Sequence, residues 1–205
     1  MRLPYQDHYE VAARTARDAL RQSDIRERCA RSGADYQAEN RLVAVPLLRE
    51  TLRVTWPDLE FLPDGTGAAP ALREQILALH YLVTATGAAP TGNWVTFDQV
   101  PGGLFYLPAF RGRSVDRLVR AFGERPERLA DAARALGGAP AAHGDVGVVV
   151  PMFPRVALLL VLWRGDDEIA PSGNVLFDSS VRDYLPTEDI AVAAGMVVGE
   201  CVRCG

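Results

Sequence analysis

Two cysteines near the end of the sequence have a spacing that metal and redox sites use. Cys201 and Cys204 are separated by two residues, which suits one half of a zinc or iron–sulfur site. A closed zinc site needs four ligands. The missing ligands would have to come from a second subunit, or from Cys29, His8, His80 or His143 of the same chain. A redox dithiol is one alternative, and a chance pair in which Cys201 continues the apolar stripe of a helix is the other. Cys201 and Cys204 are therefore candidate metal ligands.

Five further residues are candidates for contact with a small molecule: His80, Trp94, Tyr106, Trp163 and Asp178. A neutral imidazole such as His80 can act as a base near pH 7, or it can be a core histidine bonded to a carbonyl group. Asp178 ends an apolar run and precedes two serines, at a strand-to-helix transition where ligands often bind, although a helix cap is the simpler alternative. We expect a concave pocket near these five residues.

The composition excludes several kinds of active site. All 22 basic residues are arginine, so the Schiff-base lysine of pyridoxal-phosphate enzymes, the P-loop lysine and the protein-kinase lysine are absent. No glycine-rich fingerprint follows a strand as in dinucleotide-binding folds, and no nucleophile elbow is present. The formal net charge of −4 argues against a nucleic-acid or anionic-membrane surface.

The apolar pattern predicts the elements that must position these residues. We expect a helix over about residues 5–32, a hairpin formed by Arg41–Pro46 and Thr51–Trp56, and a strong helix from Pro70 to Gly87. Asn93–Phe97 and Leu104–Leu107 read as short strands, followed by two helices that begin after Ser114 and at Pro126. Dense apolar runs predict three strands at Asp145–Val150, Val156–Trp163 and Asn174–Phe177, and Thr187 is expected to cap a last helix.

Helices and strands are grouped along the chain rather than alternating, which favours an α+β fold with a mostly antiparallel sheet and helices packed on it. We expect one domain over residues 1–205, with a helix and hairpin over about 1–62 and a core over about 70–195. The loop at residues 63–69 is the best candidate for a boundary. The longest apolar run, Val156–Trp163, is too short to span a membrane, and three cysteines without a signal peptide indicate the cytoplasm.

Stretches of the second half, in consistent order over roughly residues 70–195, resemble a prokaryotic family described as domain of unknown function 3786. They are Leu77–Leu82, Gly92–Phe97, Pro101–Gly103, Phe153–Arg155, Leu162–Glu168, Asn174–Asp178 and Tyr184–Asp189. The resemblance implies a protein typical of anaerobes, in a family where some members carry an iron–sulfur-type segment like those of one-carbon and corrinoid proteins. It implies no activity, cofactor or catalytic residue, so the chain's status as an enzyme stays open.

Three hypotheses follow. The first is an accessory domain that binds a small molecule or cofactor, in anaerobic one-carbon or corrinoid metabolism. The second is a metal-binding protein or metal-dependent enzyme that uses Cys201 and Cys204. The third is an interaction module that forms a homodimer through exposed apolar strands.

Overall fold

The computed structural model describes residues 4–205, with side chains from Glu10 onward. His8 therefore lies outside the described side chains. The described chain is an α+β protein with two antiparallel sheets, as the grouping of elements predicts. It divides into two compact units, of which the first comprises the residues up to Ala89 with Asp183–Leu185, and the second comprises Pro90–Arg182 and Pro186–Gly205. The loop at residues 63–69 lies inside the first unit rather than at this division.

The first unit combines three helices with a three-stranded sheet in the order β1-β2-β3. Its elements are α1 (Pro4–Arg21), α2 (Ile25–Ser32), β1 (Asp35–Gln37), β2 (Leu42–Leu47), β3 (Glu50–Thr55) and α3 (Leu72–Thr84). The hairpin of β2 and β3 is confirmed. Pro46 is tolerated in the central strand because β1 pairs only as far as Ala44, so β2 is an edge at that point.

The single N-terminal helix is a wrong prediction, because Asp24 separates α1 from α2. The Asp24 side chain accepts hydrogen bonds from the backbone N–H groups of Arg26 and Glu27, and its extended backbone starts a new helix. A carboxylate that caps a helix in this way satisfies donors that would otherwise be unpaired. Buried apolar residues lie on both sides of the break, at Leu20 and Ile25, which is why the apolar pattern conceals it.

The second unit contains a five-stranded sheet in the order β4-β8-β7-β6-β5, with every neighbouring pair antiparallel. Its strands are β4 (Trp94–Val95), β5 (Ala139–Ala141), β6 (Val146–Phe153), β7 (Val156–Trp163) and β8 (Ser172–Asp178). Its helices are α4 (Gly103–Arg113), α5 (Val115–Phe122), α6 (Glu127–Ala135) and α7 (Thr187–Cys204), with 3-10 helices at Phe97–Gln99 and Ser179–Asp183. Leu158–Leu162 of β7 are all buried, as its unbroken apolar sequence predicts.

The strand predicted at Leu104–Leu107 is wrong, since these residues form the first half of α4. Gly102 has a left-handed backbone with φ of 78° and turns the chain, and Gly103 opens the helix against the carbonyl of Phe97. Four consecutive apolar residues show neither the helical nor the strand periodicity, so the pattern does not identify the helix. Pro108 inside the helix argues further against a helix at this position.

Two predicted helix caps are also corrected. The Ser114 hydroxyl donates to the carbonyl oxygen of Phe110 at 2.6 Å and so closes α4 instead of capping α5. The Thr187 hydroxyl donates to the carbonyl oxygen of Pro101 at 2.7 Å, which ties the start of α4 to the start of α7. Among the helices that the structure describes, none combines the length and apolar character that a membrane-spanning segment requires.

Candidate binding cleft at the end of the five-stranded sheet

The end of β8 is held by the side chain of Asp178. Its Oδ1 accepts hydrogen bonds from the backbone N–H and hydroxyl of Thr91, both at 3.0 Å, and from the backbone N–H and hydroxyl of Ser180, at 2.9 and 2.7 Å. Its Oδ2 accepts from the backbone N–H of Gly92 at 2.7 Å. The carboxylate thereby joins the segment before β4 to the 3-10 helix after β8.

These donors stabilise the charged form of Asp178. Partial burial alone would raise the pKa of this carboxyl, but the hydrogen bonds from Ser180, Thr91 and Gly92 outweigh it and lower the pKa from 3.8 to about 2. A carboxylate that accepts five bonds from its own chain positions the loop and is a poor general base. Asp178 is therefore a positioning residue for this end of the sheet.

A cleft of about 230 Å³ lies beside this network, between the 3-10 helix after β8 and residues 95–101, which run from β4 to the start of α4. Its apolar wall comes from four side chains: Val95, Val100, Pro101 and Val181. Its polar groups are Gln99, Ser179 and Arg182. An apolar wall with a few polar groups is the usual composition of a small-molecule site.

The polar groups give the cleft a positive character. Arg182 is exposed and forms no ion pair with any residue from Glu10 onward. The carbonyl oxygen of the Gln99 side chain accepts from the backbone N–H of Thr96 at 2.9 Å and from its hydroxyl at 3.1 Å, which leaves the amide N–H groups of Gln99 as further donors. No carboxylate is among the residues that line the cleft, so the site suits an anion.

The structure brings together two of the five residues predicted from the sequence to contact a ligand. Trp94 and Asp178 are register partners in β4 and β8. Side chains alternate along a strand, so Trp94 points to the opposite face from Val95, which lines the cleft. Trp163 pairs with Ser172 at the other end of β8, about 20 Å from Asp178 at the usual rise of a strand, and one small molecule cannot contact both.

Tyr106 and His80 belong to two helices and are not among the residues that line the cleft. Tyr106 is in α4 and is 39% exposed, and His80 is half-buried in α3 of the first unit. Ligand contact by these two residues stays a prediction.

The cysteine pair occupies the last turn of α7. Cys201 is fully buried and continues the stripe of Ile190, Ala194 and Val197, while Cys204 is half-exposed. Burial and the neighbouring Cys204 raise the pKa of the Cys201 thiol to about 12, so the thiol is protonated at neutral pH in the metal-free chain. No group of three or more His, Cys, Asp or Glu side chains suitable for a metal occurs among the described residues, and metal binding by Cys201 and Cys204 stays a prediction.

Sequence reasoning missed Gln99, Ser179 and Arg182 as residues of a site. The available signal was the strand end itself, because Asp178 and the two serines after it mark a transition where ligands often bind. An arginine in the next turn had no spacing to distinguish it from other surface arginines.

Comparison with known proteins supplies a family and no activity. Residues 24–200 match the family described as "Domain of unknown function (DUF3786)", which is the family that the sequence resembles. Neither the curated proteins nor the solved structures provide a match to the chain.

Proposed function

The chain belongs to the DUF3786 family, and we propose that this member binds a small organic anion, a carboxylate with a short apolar body, in the cleft at the end of the five-stranded sheet. The single observation that carries the proposal is the guanidinium of Arg182, which forms no ion pair with any residue from Glu10 onward, beside an apolar wall that contains no acidic residue. A planar guanidinium matches a carboxylate with two parallel hydrogen bonds, which supplies both affinity and orientation.

The size of the cleft limits the ligand. Its volume of about 230 Å³ is below the range of roughly 300–1,000 Å³ that holds drug-sized molecules. A carboxylic acid of a few carbon atoms fits such a space, whereas a corrinoid macrocycle does not. A role in anaerobic one-carbon metabolism rests on the family resemblance. Within that metabolism, the size of the cleft favours a small carboxylic acid as the ligand over a corrinoid cofactor.

An accessory binding role suits the cleft better than catalysis does. Asp178, which directly precedes the cleft residue Ser179, has both oxygens engaged by its own chain. A binding site needs only the unpaired donors of Arg182 and Gln99.

Thermal unfolding in the presence of acetate, butanoate and benzoate tests the proposal. A ligand that binds only the folded chain stabilises it by about 2.7 kcal/mol at a free concentration of 100 Kd, which raises the Tm of a chain of this size by roughly 5–10 °C. Butylammonium at the same ionic strength is the charge-reversed control and should leave the Tm unchanged. Isothermal titration calorimetry then supplies Kd.

The matched variants are Arg182→Gln and Arg120→Gln. Arg120 is an exposed arginine of α5 that does not line the cleft, so its loss controls for the general change in net charge. We expect Arg182→Gln to abolish the carboxylate shift and Arg120→Gln to retain it. Equal binding by both variants, or no Tm shift with any of the three acids, would overturn the proposal.

A further inference from the structure

Helix α4 presents apolar side chains to solvent over its first turns. Phe105 is 90% exposed and Leu104 is 68% exposed. The opposite side of the helix is well packed, because Phe110 is buried and its ring stacks on Phe97 with centroids 4.3 Å apart. The helix is thus anchored by one face while the other leaves large apolar groups in water, which is unfavourable unless something covers them.

One arginine extends this exposed face. Arg111 follows Leu104 by seven positions, which at helical spacing places it on the same side, about 11 Å further along the axis. Arg111 is exposed and pairs with no acid among the described side chains. We call Leu104, Phe105 and Arg111 the α4 surface, which combines an apolar end with a positive end.

The loop between β7 and β8 carries the complementary features. Ile169 is 67% exposed and directly follows the exposed carboxylates of Asp167 and Glu168. The Asp166 carboxylate accepts from the backbone N–H groups of Glu168 and Ile169 at 2.9 and 2.8 Å, which fixes the shape of the loop. We call Asp167, Glu168 and Ile169 the loop surface, which combines an apolar tip with negative charge.

We propose that the α4 surface of one copy of this chain binds the loop surface of a second copy. Both surfaces belong to the second unit and both are exposed in the same chain, so they do not cover each other within one molecule. Association would bury Phe105 and Ile169 and would set Arg111 against Asp167 and Glu168. A few fully buried anchors dominate the binding energy of many interfaces, and complementary charges decide which surfaces meet.

This contact differs from a homodimer through exposed strands, because it uses a helix and a loop. It is also independent of the ligand proposed above. Each contact joins two different surfaces, so repetition gives a ring or a chain of copies unless the contact closes between two of them.

Sedimentation velocity of the full chain over a wide concentration range tests the proposal. We expect the wild type to associate as concentration rises, and high salt to weaken this association because it screens the charges. Phe105→Asp and Ile169→Asp should each weaken self-association at least about tenfold, the effect of losing one interface anchor. Val11→Asp changes an exposed apolar residue of α1 and should associate like the wild type.

A mixing experiment distinguishes this contact from other modes of association. The Phe105→Asp copy retains an intact loop surface and the Ile169→Asp copy retains an intact α4 surface. An equimolar mixture should therefore form a dimer that neither variant forms alone. Circular dichroism confirms that both variants fold, which we expect because both positions are exposed.

Three results would overturn the proposal. One is a wild type that stays monomeric at every concentration. Another is association that Phe105→Asp abolishes and Ile169→Asp leaves intact, which would indicate contact between two α4 surfaces. The third is a monomer that cosediments with vesicles of anionic phospholipid unless Phe105 is replaced, which would assign the α4 surface to a membrane.

Discussion

Replacement of Asp178 by asparagine should destabilise the protein in a way that depends on pH. Asparagine has nearly the same shape, but one of its terminal atoms becomes an NH₂ group that cannot accept a hydrogen bond. With its oxygen placed toward Thr91 and Ser180, its nitrogen faces the backbone N–H of Gly92, which donates to Oδ2 in the wild type. Two donors then face each other, and the Gly92 N–H loses its partner.

The size of the effect follows from the pKa. A shift from 3.8 to about 2 corresponds to at most about 2.4 kcal/mol of stability from ionisation of the folded carboxyl. The donors lie near the surface, and solvent screening reduces this to roughly 1 kcal/mol. With the lost hydrogen bond, we expect Asp178→Asn to lower the free energy of unfolding by about 1–2 kcal/mol at pH 7.

The sign of the pH dependence is fixed by the direction of the shift. The folded pKa lies below the unfolded value, so this stabilisation is fully present above about pH 5 and is lost as pH falls toward about 2. The difference between wild type and Asp178→Asn should therefore be constant from pH 7 to about pH 5 and then shrink.

Urea unfolding followed by tryptophan fluorescence measures this difference, since Trp94 is the register partner of Asp178. Asp167→Asn is the control, because Asp167 is exposed and has no hydrogen-bond partner among the described side chains. A cost for Asp178→Asn that equals that of the control at pH 7 would refute the positioning role. A cost that stays unchanged between pH 5 and pH 3 would show that ionisation of the carboxyl does not contribute.

Two further predictions concern the second unit. Gly103→Ala should destabilise it by about 2 kcal/mol, because the added methyl group would overlap the carbonyl oxygen of Phe97. Gly112→Ala in the same helix is the control: its methyl group meets no atom within 4 Å and should stabilise the unit by about 0.5–1 kcal/mol. Thermal unfolding compares the two variants, and a change of stability with the same sign in both would contradict the close approach at Gly103. With Ellman's reagent at pH 8, the half-exposed thiol of Cys204 should react first. Cys201 should react only after unfolding, because burial raises its pKa to about 12. Peptide mapping identifies the modified residue, and fast labelling of Cys201 would contradict its burial.

The elements that sequence predicted well are those in which one residue pattern decides the structure. The apolar runs at Val156–Trp163 and Asn174–Phe177 were predicted as strands, and they form neighbouring strands of the sheet. The hairpin of β2 and β3 was set by two short branched runs and a tight turn. In each case the local pattern and the tertiary environment favoured the same state.

The failures occur where a tertiary contact decides between local alternatives. Leu104–Leu107 has good strand propensity, yet it forms a helix in which Gly103 approaches the Phe97 carbonyl and Phe110 stacks on the Phe97 ring. The short strand β5 at Ala139–Ala141 escaped notice because its sequence is Ala-Pro-Ala, and its pairing with β6 comes from the neighbouring strand rather than from propensity.

The same limit applies to the candidate site, because a residue whose type suggests a catalytic or binding role can have a structural role in the fold instead. Asp178 was selected as a ligand-binding residue, and its carboxylate is occupied by Thr91, Gly92 and Ser180. That use has a consequence for the cleft next to it. Since the Asp178 carboxylate accepts five hydrogen bonds from its own chain and forms no ion pair with Arg182, the guanidinium would keep its donors for the ligand proposed above. Asp178 would then serve the site by positioning the 3-10 helix that carries Arg182.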